Sequence, residues 1–256
     1  MKACGITDIG LQRHENQDTF AVERGVADGQ IIAVVCDGMG GENGGQVASR
    51  LAVRTFVEEM RAVLREDMDV QQLREAAAYC VSKANTAVNR HAVEHAECRG
   101  MGTTLVSAVT CANTAVVCNV GDSRAYRLGG GRAERITRDH SVVEGLVASG
   151  NITVEQARTH PNRNLITRAL GPEVSTACDV YEVTLAPGEA LLLCSDGLVV
   201  TVEDEEILET VLRGAVPEES LKQLLQLSRQ RGAPDNVTAV LLYEDNKGKE
   251  GMSWIR

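Results

Sequence analysis

The feature that most constrains the fold is an apolar run that ends abruptly on an aspartate. Residues 31–36 are uncharged and mostly β-branched, and Asp37 and Gly38 follow them directly. Such a run predicts a strand buried in the core. A carboxylate at the end of a buried strand costs free energy unless something pairs with it, and an adjacent glycine lets the backbone approach whatever the carboxylate holds.

The same arrangement recurs along the chain. Three further aspartates adjoin apolar runs: Asp122 after 116–120, Asp196 after 191–194, and Asp235 before 237–243. Several carboxylates at the ends of core strands predict a divalent cation site, and oxygen-only ligands favour Mg²⁺ or Mn²⁺. More than one aspartate in reach favours a two-metal cluster that activates water for phosphoryl transfer. Arg13, whose planar guanidinium suits phosphate, is the candidate cationic clamp.

Apolar periodicity and turn residues predict a chain of mixed strands and helices. Strands are predicted at 3–8, 19–22, 31–36, 102–111, 114–120, 123–128, 132–137, 165–169, 178–185, 189–194 and 237–243. Helices are predicted at 46–64, 70–98, 203–212 and 217–231. The short turns between residues 102 and 128 predict an antiparallel meander, and Asp28-Gly29 is a hairpin signal.

The chain shows no linker, low-complexity tract or repeat of fixed period, which predicts a single domain over residues 1–245. Within that domain, 141–160 has an amphipathic helical pattern that ends before Pro161. The whole insertion, 141–170, is predicted to be a flap over a site. The tail at 246–256 is predicted to be disordered.

Composition excludes several partners. The 256 residues carry a formal net charge of −10 and only 3% aromatic residues, which argues against nucleic-acid binding. No apolar signal region or membrane-length segment is present, so we expect a cytoplasmic protein with no membrane partner. We also expect a monomer. The eight cysteines include no C-x-x-C pair, which indicates reduced thiols.

Two other kinds of site compete with the carboxylate site. Gly38-x-Gly40 between a strand and a helix is typical of a dinucleotide-binding turn, but Asn43 replaces the third glycine and Asp37 would repel a pyrophosphate. An EF-hand calcium loop is excluded because its Asp-x-Asp-x-Asp-Gly pattern is missing.

His91, His95 and Cys98 share one face of the second predicted helix, so zinc binding is a further hypothesis. The alternative, which we favour because no fourth ligand is visible, is that the three side chains complete the packing face of the helix.

Eight motifs, in order, resemble those of the metal-dependent protein serine/threonine phosphatases of type 2C, most of all the bacterial PPM-type members. They are Arg13-x-x-Asn16-Gln17-Asp18, Asp37-Gly38-Met39-Gly40-Gly41, Gly100-Met101-Gly102-Thr103-Thr104, Val120-Gly121-Asp122-Ser123-Arg124, Asp139-His140-Ser141, Ile166-Thr167-Arg168-Ala169-Leu170-Gly171, Ser195-Asp196-Gly197 and Asp235-Asn236-Val237-Thr238. The match spans residues 3–243, and eight motifs in one order are specific although each is weak alone.

The resemblance implies an α+β fold, a four-layer α-β-β-α sandwich of two antiparallel sheets flanked by helices. It implies hydrolysis of phosphoserine and phosphothreonine on proteins by attack of a metal-bridging water, without a covalent intermediate. It also implies a Ser/Thr kinase of bacterial type as the enzyme that phosphorylates the substrates.

The resemblance also implies roles for individual residues. Asp37 would bridge two Mn²⁺ or Mg²⁺ ions, and Gly38 would offer its carbonyl to one of them. Asp196 and Asp235 would complete the ligands of the other ion, and Asp122 would join Asp196 at a possible third ion. Asp18 would hold metal-bound water, and Arg13 would bind the phosphate.

Two departures from the family pattern bear on mechanism. Met39 stands where many eukaryotic relatives have a histidine proposed to protonate the leaving group, so that general acid is missing. Gln17 stands where others have glutamate, and we expect modestly weaker metal binding. His140 is predicted to fix the base of the flap, and His160 is also predicted to be structural.

Two alternative functions remain beside the protein phosphatase. An inactive binding module on the same fold would have little reason to keep several carboxylates in the core. A phosphatase of small phosphorylated metabolites would share the chemistry and differ only in what the flap admits.

Overall fold

Two antiparallel sheets lie face to face at the centre of the computed structural model, which describes residues 1–214 and 216–244. The first sheet has the order β1 (Lys2–Asp8), β11 (Val237–Tyr243), β10 (Ala190–Cys194), β7 (Arg124–Gly129), β8 (Arg132–Arg135). The second has the order β2 (Asp18–Arg24), β3 (Ile31–Met39), β5 (Leu105–Cys111), β6 (Thr114–Val120), β9 (Asp179–Thr184), with β4 (Gly102–Thr103) paired to the end of β3.

Helices cover the outer face of each sheet. The long helices α1 (Gly41–Val63) and α2 (Val70–Glu94) pack on the second sheet, and α6 (Asp204–Arg213) and α7 (Pro217–Gln230) pack on the first. The remaining helices are short: α3 (Val142–Ala148), α4 (Val154–Arg158), α5 (Asp196–Val199) and a 3₁₀ turn at Ala96–Cys98. The α+β sandwich predicted from the family resemblance is confirmed.

The central strands are buried on both faces because their side chains alternate between two cores. In β3, Ile32 and Val34 pack in the core beneath α1 and α2, whereas Ala33 and Val35 pack between the sheets. This double burial explains why the run 31–36 is continuously apolar rather than alternating.

Local signals fix the helix ends. The Asp69 side chain accepts a hydrogen bond from the main-chain N–H of Gln72, and the Gln72 side chain accepts one from the main-chain N–H of Asp69, so α2 begins with a capping box. Pro217 occupies the first turn of α7, where its missing N–H costs nothing.

Several predicted boundaries are wrong. The predicted meander is correct for β5 and β6, which form an antiparallel hairpin. It is wrong after Gly121, where the chain leaves this sheet and continues as β7 in the other sheet. Residues 165–169 form no strand, only an isolated bridge between Ser141 and Ile166. The predicted strand 102–111 divides at Thr104, because its hydroxyl accepts a hydrogen bond from the main-chain N–H of Asp37 at 2.9 Å and its own main-chain N–H bonds the Asp37 carbonyl.

The helices differ from prediction in smaller ways. The first begins at Gly41 rather than at 46, the second ends at Glu94 before the 3₁₀ turn, and α5 was not predicted. The predicted tail, 246–256, lies outside the described residues. Within the ranges 1–214 and 216–244, no helix is both long enough and apolar enough to cross a membrane.

Candidate active site

The aspartates singled out by the sequence surround one cavity at an end of the sandwich. Asp37 lies near the end of β3, opposite Asp18 of β2, and Asp196 follows β10 as the first residue of α5. The cavity has a volume of about 800 Å³. Its lining includes six of the predicted site residues: Arg13, Asp37, Gly38, Asp122, Asp196 and Asp235.

Burial and mutual repulsion raise the pKa values of three of these carboxyl groups. Burial, and then the charges of neighbouring carboxylates beginning with Asp18, raise the pKa of Asp37 well above its usual range. The pKa of Asp122 is raised in the same way, by burial and then by Asp196. Burial also raises the pKa of Asp196, ahead of the charge of Asp235. The cavity is therefore a site of concentrated negative charge.

Asp18 lies deepest in this group. Burial raises the pKa of its carboxyl group to about 7, although hydrogen bonds from Thr238 and Ser195 oppose the shift. The Ser195 hydroxyl donates to one carboxylate oxygen of Asp18 at 2.8 Å. The other oxygen of Asp18, and one oxygen of Asp196, are buried with no hydrogen-bond partner in the described part of the chain.

This donor set fits divalent cations. Buried carboxylates normally have hydrogen bonds or a counter-charge, and oxygens that have neither are chemically suited to a hard metal ion. Asp37 and Asp196 are close enough for each to shift the pKa of the other. Across residues 1–214 and 216–244, no three His, Cys, Asp or Glu side chains form a ready-made metal cage, so the site consists of neighbouring carboxylates around an open cavity.

The glycine of each Asp-Gly pair is required by close packing of the protein backbone. A Cβ added to Gly38 would lie 2.0 Å from the carbonyl oxygen of Gly45, and one added to Gly197 would lie 2.0 Å from that of Asn236. Both contacts are with main chain, so a side chain at Gly38 would displace the segment that carries Asp37, and one at Gly197 would push apart the segments that carry Asp196 and Asp235. Gly38 also lines the cavity, so the packing role is compatible with the predicted approach of its backbone to a ligand.

Arg13 extends over the cavity rim with its side chain 55% exposed, and its guanidinium donates to Asp235 at 2.8 Å. That hydrogen bond is the main cause of its raised pKa. Asn236 holds the loop that carries Arg13, because its amide donates to the carbonyls of Ile9 and Glu15, both at 2.9 Å.

Ser195 and Asn236 are site residues that the sequence reasoning did not single out. Asn236 also accepts from the main-chain N–H of Gln17 at 2.8 Å, and Ser195 joins β11 to Asp18. The signal was present, because each is an uncharged polar residue inside a quoted motif beside a candidate ligand. Met39 and Gln17, the two departures from the family pattern, line the same cavity.

The turn carrying Asp122 is held by residues at the base of the flap. Gly121 has a φ of +106°, a conformation that favours glycine, and its N–H donates to Nδ1 of His140. His140 Nε2 lies 3.2 Å from Asp179, which also accepts from Arg168 at 2.8 Å. The predicted structural role of His140 agrees with this network.

Of the remaining histidines, His14 lines the cavity beside Arg13, whereas His91, His95 and His160 do not line it. His91 and His95 stack with ring centroids 3.9 Å apart, and Nδ1 of His95 lies 3.1 Å from the His91 carbonyl oxygen. Cys98 is buried in the core beside α2. These contacts support the packing interpretation of this face rather than a zinc site. His160 bonds the main-chain N–H of Asn162 within its loop.

Comparison with known proteins decides the family. Residues 12–241 match the family model described as Protein phosphatase 2C. The chain belongs to the protein phosphatase 2C family. It is 35% identical to the serine/threonine phosphatase stp of Listeria monocytogenes, over 95% of this chain and 97% of that protein. It is 37% identical to PstP of Mycobacterium tuberculosis, over 92% of this chain but only 43% of that protein.

Solved structures give the same result. Stp1 from Staphylococcus aureus superposes with a TM-score of 0.88 at 36% identity, covering 94% of this chain and 93% of that one. The catalytic domain of PstP in complex with two manganese ions superposes with a TM-score of 0.80 at 33% identity, covering 94% and 96%. This member of the 2C family is therefore a serine/threonine protein phosphatase, a hydrolase that acts on phosphoproteins and depends on divalent metal.

Proposed function

We propose that the carboxylate-lined cavity is the catalytic centre. The observation that carries the proposal is the convergence of acidic side chains with unpartnered buried oxygens beside one rim arginine. Asp37 would bridge two Mn²⁺ or Mg²⁺ ions, with Gly38 and the pair Asp196 and Asp235 completing their ligands. Asp122 would join Asp196 at a third ion.

The chain's own residues divide the remaining work. Divalent ions bound here would supply an activated water and offset the charge of the phosphate. Asp18, held by Ser195, would orient water beside the ions. Arg13, whose side chain is exposed at the rim, would exchange its ion pair with Asp235 for a bidentate contact between its guanidinium and the phosphate. With Met39 where many eukaryotic relatives have a histidine, protonation of the leaving oxygen would fall to water.

The test is release of phosphate from a phosphothreonine peptide with Mn²⁺ or Mg²⁺, comparing wild type with Asp196→Ala. We expect metal-dependent turnover that disappears with chelator and in the variant. Asp67→Ala is the matched control, because its carboxylate is 87% exposed and lies in the turn between α1 and α2. Unchanged turnover in Asp196→Ala would contradict the proposal that the cavity is the catalytic centre.

The finer assignments are proposals of the same kind. We propose a single domain over 1–245 with the insertion 141–170 as its flap, and phosphoprotein substrates made by a bacterial-type Ser/Thr kinase. All eight cysteines are free thiols, which supports a cytoplasmic location. Parallel assays on phosphopeptides and phosphorylated metabolites separate the two phosphatase hypotheses, and calorimetric Mn²⁺ titration tests the inactive binding module.

A further inference from the structure

A second cavity lies beneath the flap helices, and we call it the flap cavity. It has a volume of about 430 Å³ and is bounded by α3 and α4 on one side and by the end of α5 and the start of α6 on the other. Apolar side chains contribute from both sides: Val143, Val147, Val154, Ala157, Val199 and Val200.

Two of these valines are exposed to an unusual degree. Val154 on α4 and Val200 after α5 are 58% and 57% exposed, and both line the flap cavity. Exposed apolar side chains that face one concave space are typical of a binding site rather than of random surface residues.

The flap cavity adjoins the catalytic cavity. Asp122, Asn164 and Asp196 line both spaces. A substrate chain that places its phosphorylated residue at the carboxylate cluster would therefore pass the mouth of the flap cavity within a few residues, since extended chain advances about 3.3 Å per residue.

The charged residues that line the flap cavity are largely paired with one another, and this limits which substrate side chains the cavity can bind. Three arginines of the flap cavity are held by carboxylates that also line it: Arg124 by Asp139, Arg135 by Glu144 and Arg158 by Glu203. The lining also contains one further arginine, Arg163, and one further acidic residue, Asp204. If Asp122 and Asp196 bind metal, four acidic residues and four arginines remain, and their charges balance. A balanced, partly apolar pocket offers little to a charged side chain and favours a neutral aliphatic one.

We propose that the flap cavity is a specificity pocket for an aliphatic side chain, such as leucine, close in sequence to the phosphorylated residue of the substrate. This inference rests on the proposed function, because it requires the phosphorylated residue to lie at the carboxylate cluster. Burial of one aliphatic side chain at about 25 cal/mol per Å² is sufficient to change kcat/KM about tenfold.

The test is a set of phosphothreonine peptides in which each position from −3 to +3 is, in turn, leucine, alanine, aspartate or lysine. With saturating Mn²⁺, we expect one position at which leucine raises kcat/KM about tenfold over alanine and aspartate. In the double variant Val154→Ser with Val200→Ser, that preference is expected to fall below about threefold, with kcat/KM for the alanine peptide unchanged.

Val93→Ser is the matched control, because Val93 is 76% exposed on α2 and does not line either cavity. Equal turnover of all peptides, a preference for lysine, or a leucine preference that survives the double variant would each overturn the specificity pocket while leaving the phosphatase intact. Hydrolysis of none of the peptides would overturn the proposed function and this inference together.

Discussion

Gly121 and His140 are joined by two reciprocal hydrogen bonds. The main-chain N–H of Gly121 donates to Nδ1 of His140 at 3.0 Å, and the main-chain N–H of His140 donates to the Gly121 carbonyl at 2.9 Å. Nδ1 thus acts as an acceptor, and Nε2 lies 3.2 Å from Asp179 and 3.1 Å from the guanidinium of Arg168. The base of the flap thus holds the turn that presents Asp122.

Loss of this contact should weaken metal binding at Asp122. In His140→Leu, we expect Mn²⁺ affinity at the weakest site to fall about tenfold, as for other residues that orient a metal ligand. His140→Asn should retain most of the affinity, because its side-chain oxygen replaces Nδ1 as acceptor. Calorimetric Mn²⁺ titration measures the change, with His160→Leu as control. Equal loss in the leucine and asparagine variants would argue against a positioning role.

Asp37 is predicted to be essential for activity and costly for stability. Asp37→Asn should lower kcat/KM on a phosphopeptide by about 100-fold or more, because several kcal/mol of charge stabilisation depend on the bridging carboxylate. The same variant should raise the melting temperature of the metal-free protein, because it removes a buried charge among other carboxylates. Full activity in Asp37→Asn would contradict the bridging role.

The metal-free protein should become less stable as pH rises from about 4 to about 7. The pKa of Asp18 is about 7 in the folded protein against 3.8 for the free group, so the folded state binds more protons within this window. Urea denaturation at pH 5 and pH 7.5 with chelator measures the difference. Asp18→Asn should reduce this pH dependence, and an unchanged dependence in that variant would assign it to other groups.

Arg13 is predicted to bind substrate rather than to support the fold. Its side chain is 55% exposed, so Arg13→Ala should leave the melting temperature nearly unchanged. The variant should lower kcat/KM by roughly 10–100-fold, which corresponds to a charge-assisted hydrogen bond of about 1.5–3 kcal/mol. Arg13→Lys should restore only part of the loss, because a lysine cannot form the bidentate contact. Complete rescue by lysine would show that charge alone is sufficient.

Gly197 is predicted to be irreplaceable for structural reasons. A Cβ at this position would lie 2.0 Å from the Asn236 carbonyl oxygen, so Gly197→Ala should cost about 1–3 kcal/mol of unfolding free energy. It should also weaken Mn²⁺ binding, because Asp196 and Asp235 lie on the two segments forced apart. Gly145→Ala is the control, since a Cβ there meets no atom within 4 Å apart from its chain neighbours and the backbone of its own helix. Equal stability of the two variants would contradict the packing role.

The sequence by itself determined the strands with continuous apolar runs, the helices with amphipathic periodicity, and the aspartates that end the runs. These features are local: β3 is apolar because both of its faces are buried, and that pattern can be seen in residues 31–36 alone. The eight ordered motifs added the family and the layer architecture to these predictions. Their order along the chain identifies a family of known fold, whereas periodicity identifies only single helices and strands.

Only the tertiary structure decided which segments meet. The exit of the chain from one sheet at Gly121, the division of the strand at Thr104 and the irregular path of 165–169 depend on contacts with distant residues. The burial of Asp18 against Ser195 and the flap cavity have the same origin. Hydrophobic periodicity specifies which face of a segment is buried, but the partner that buries it is chosen by packing across the whole chain.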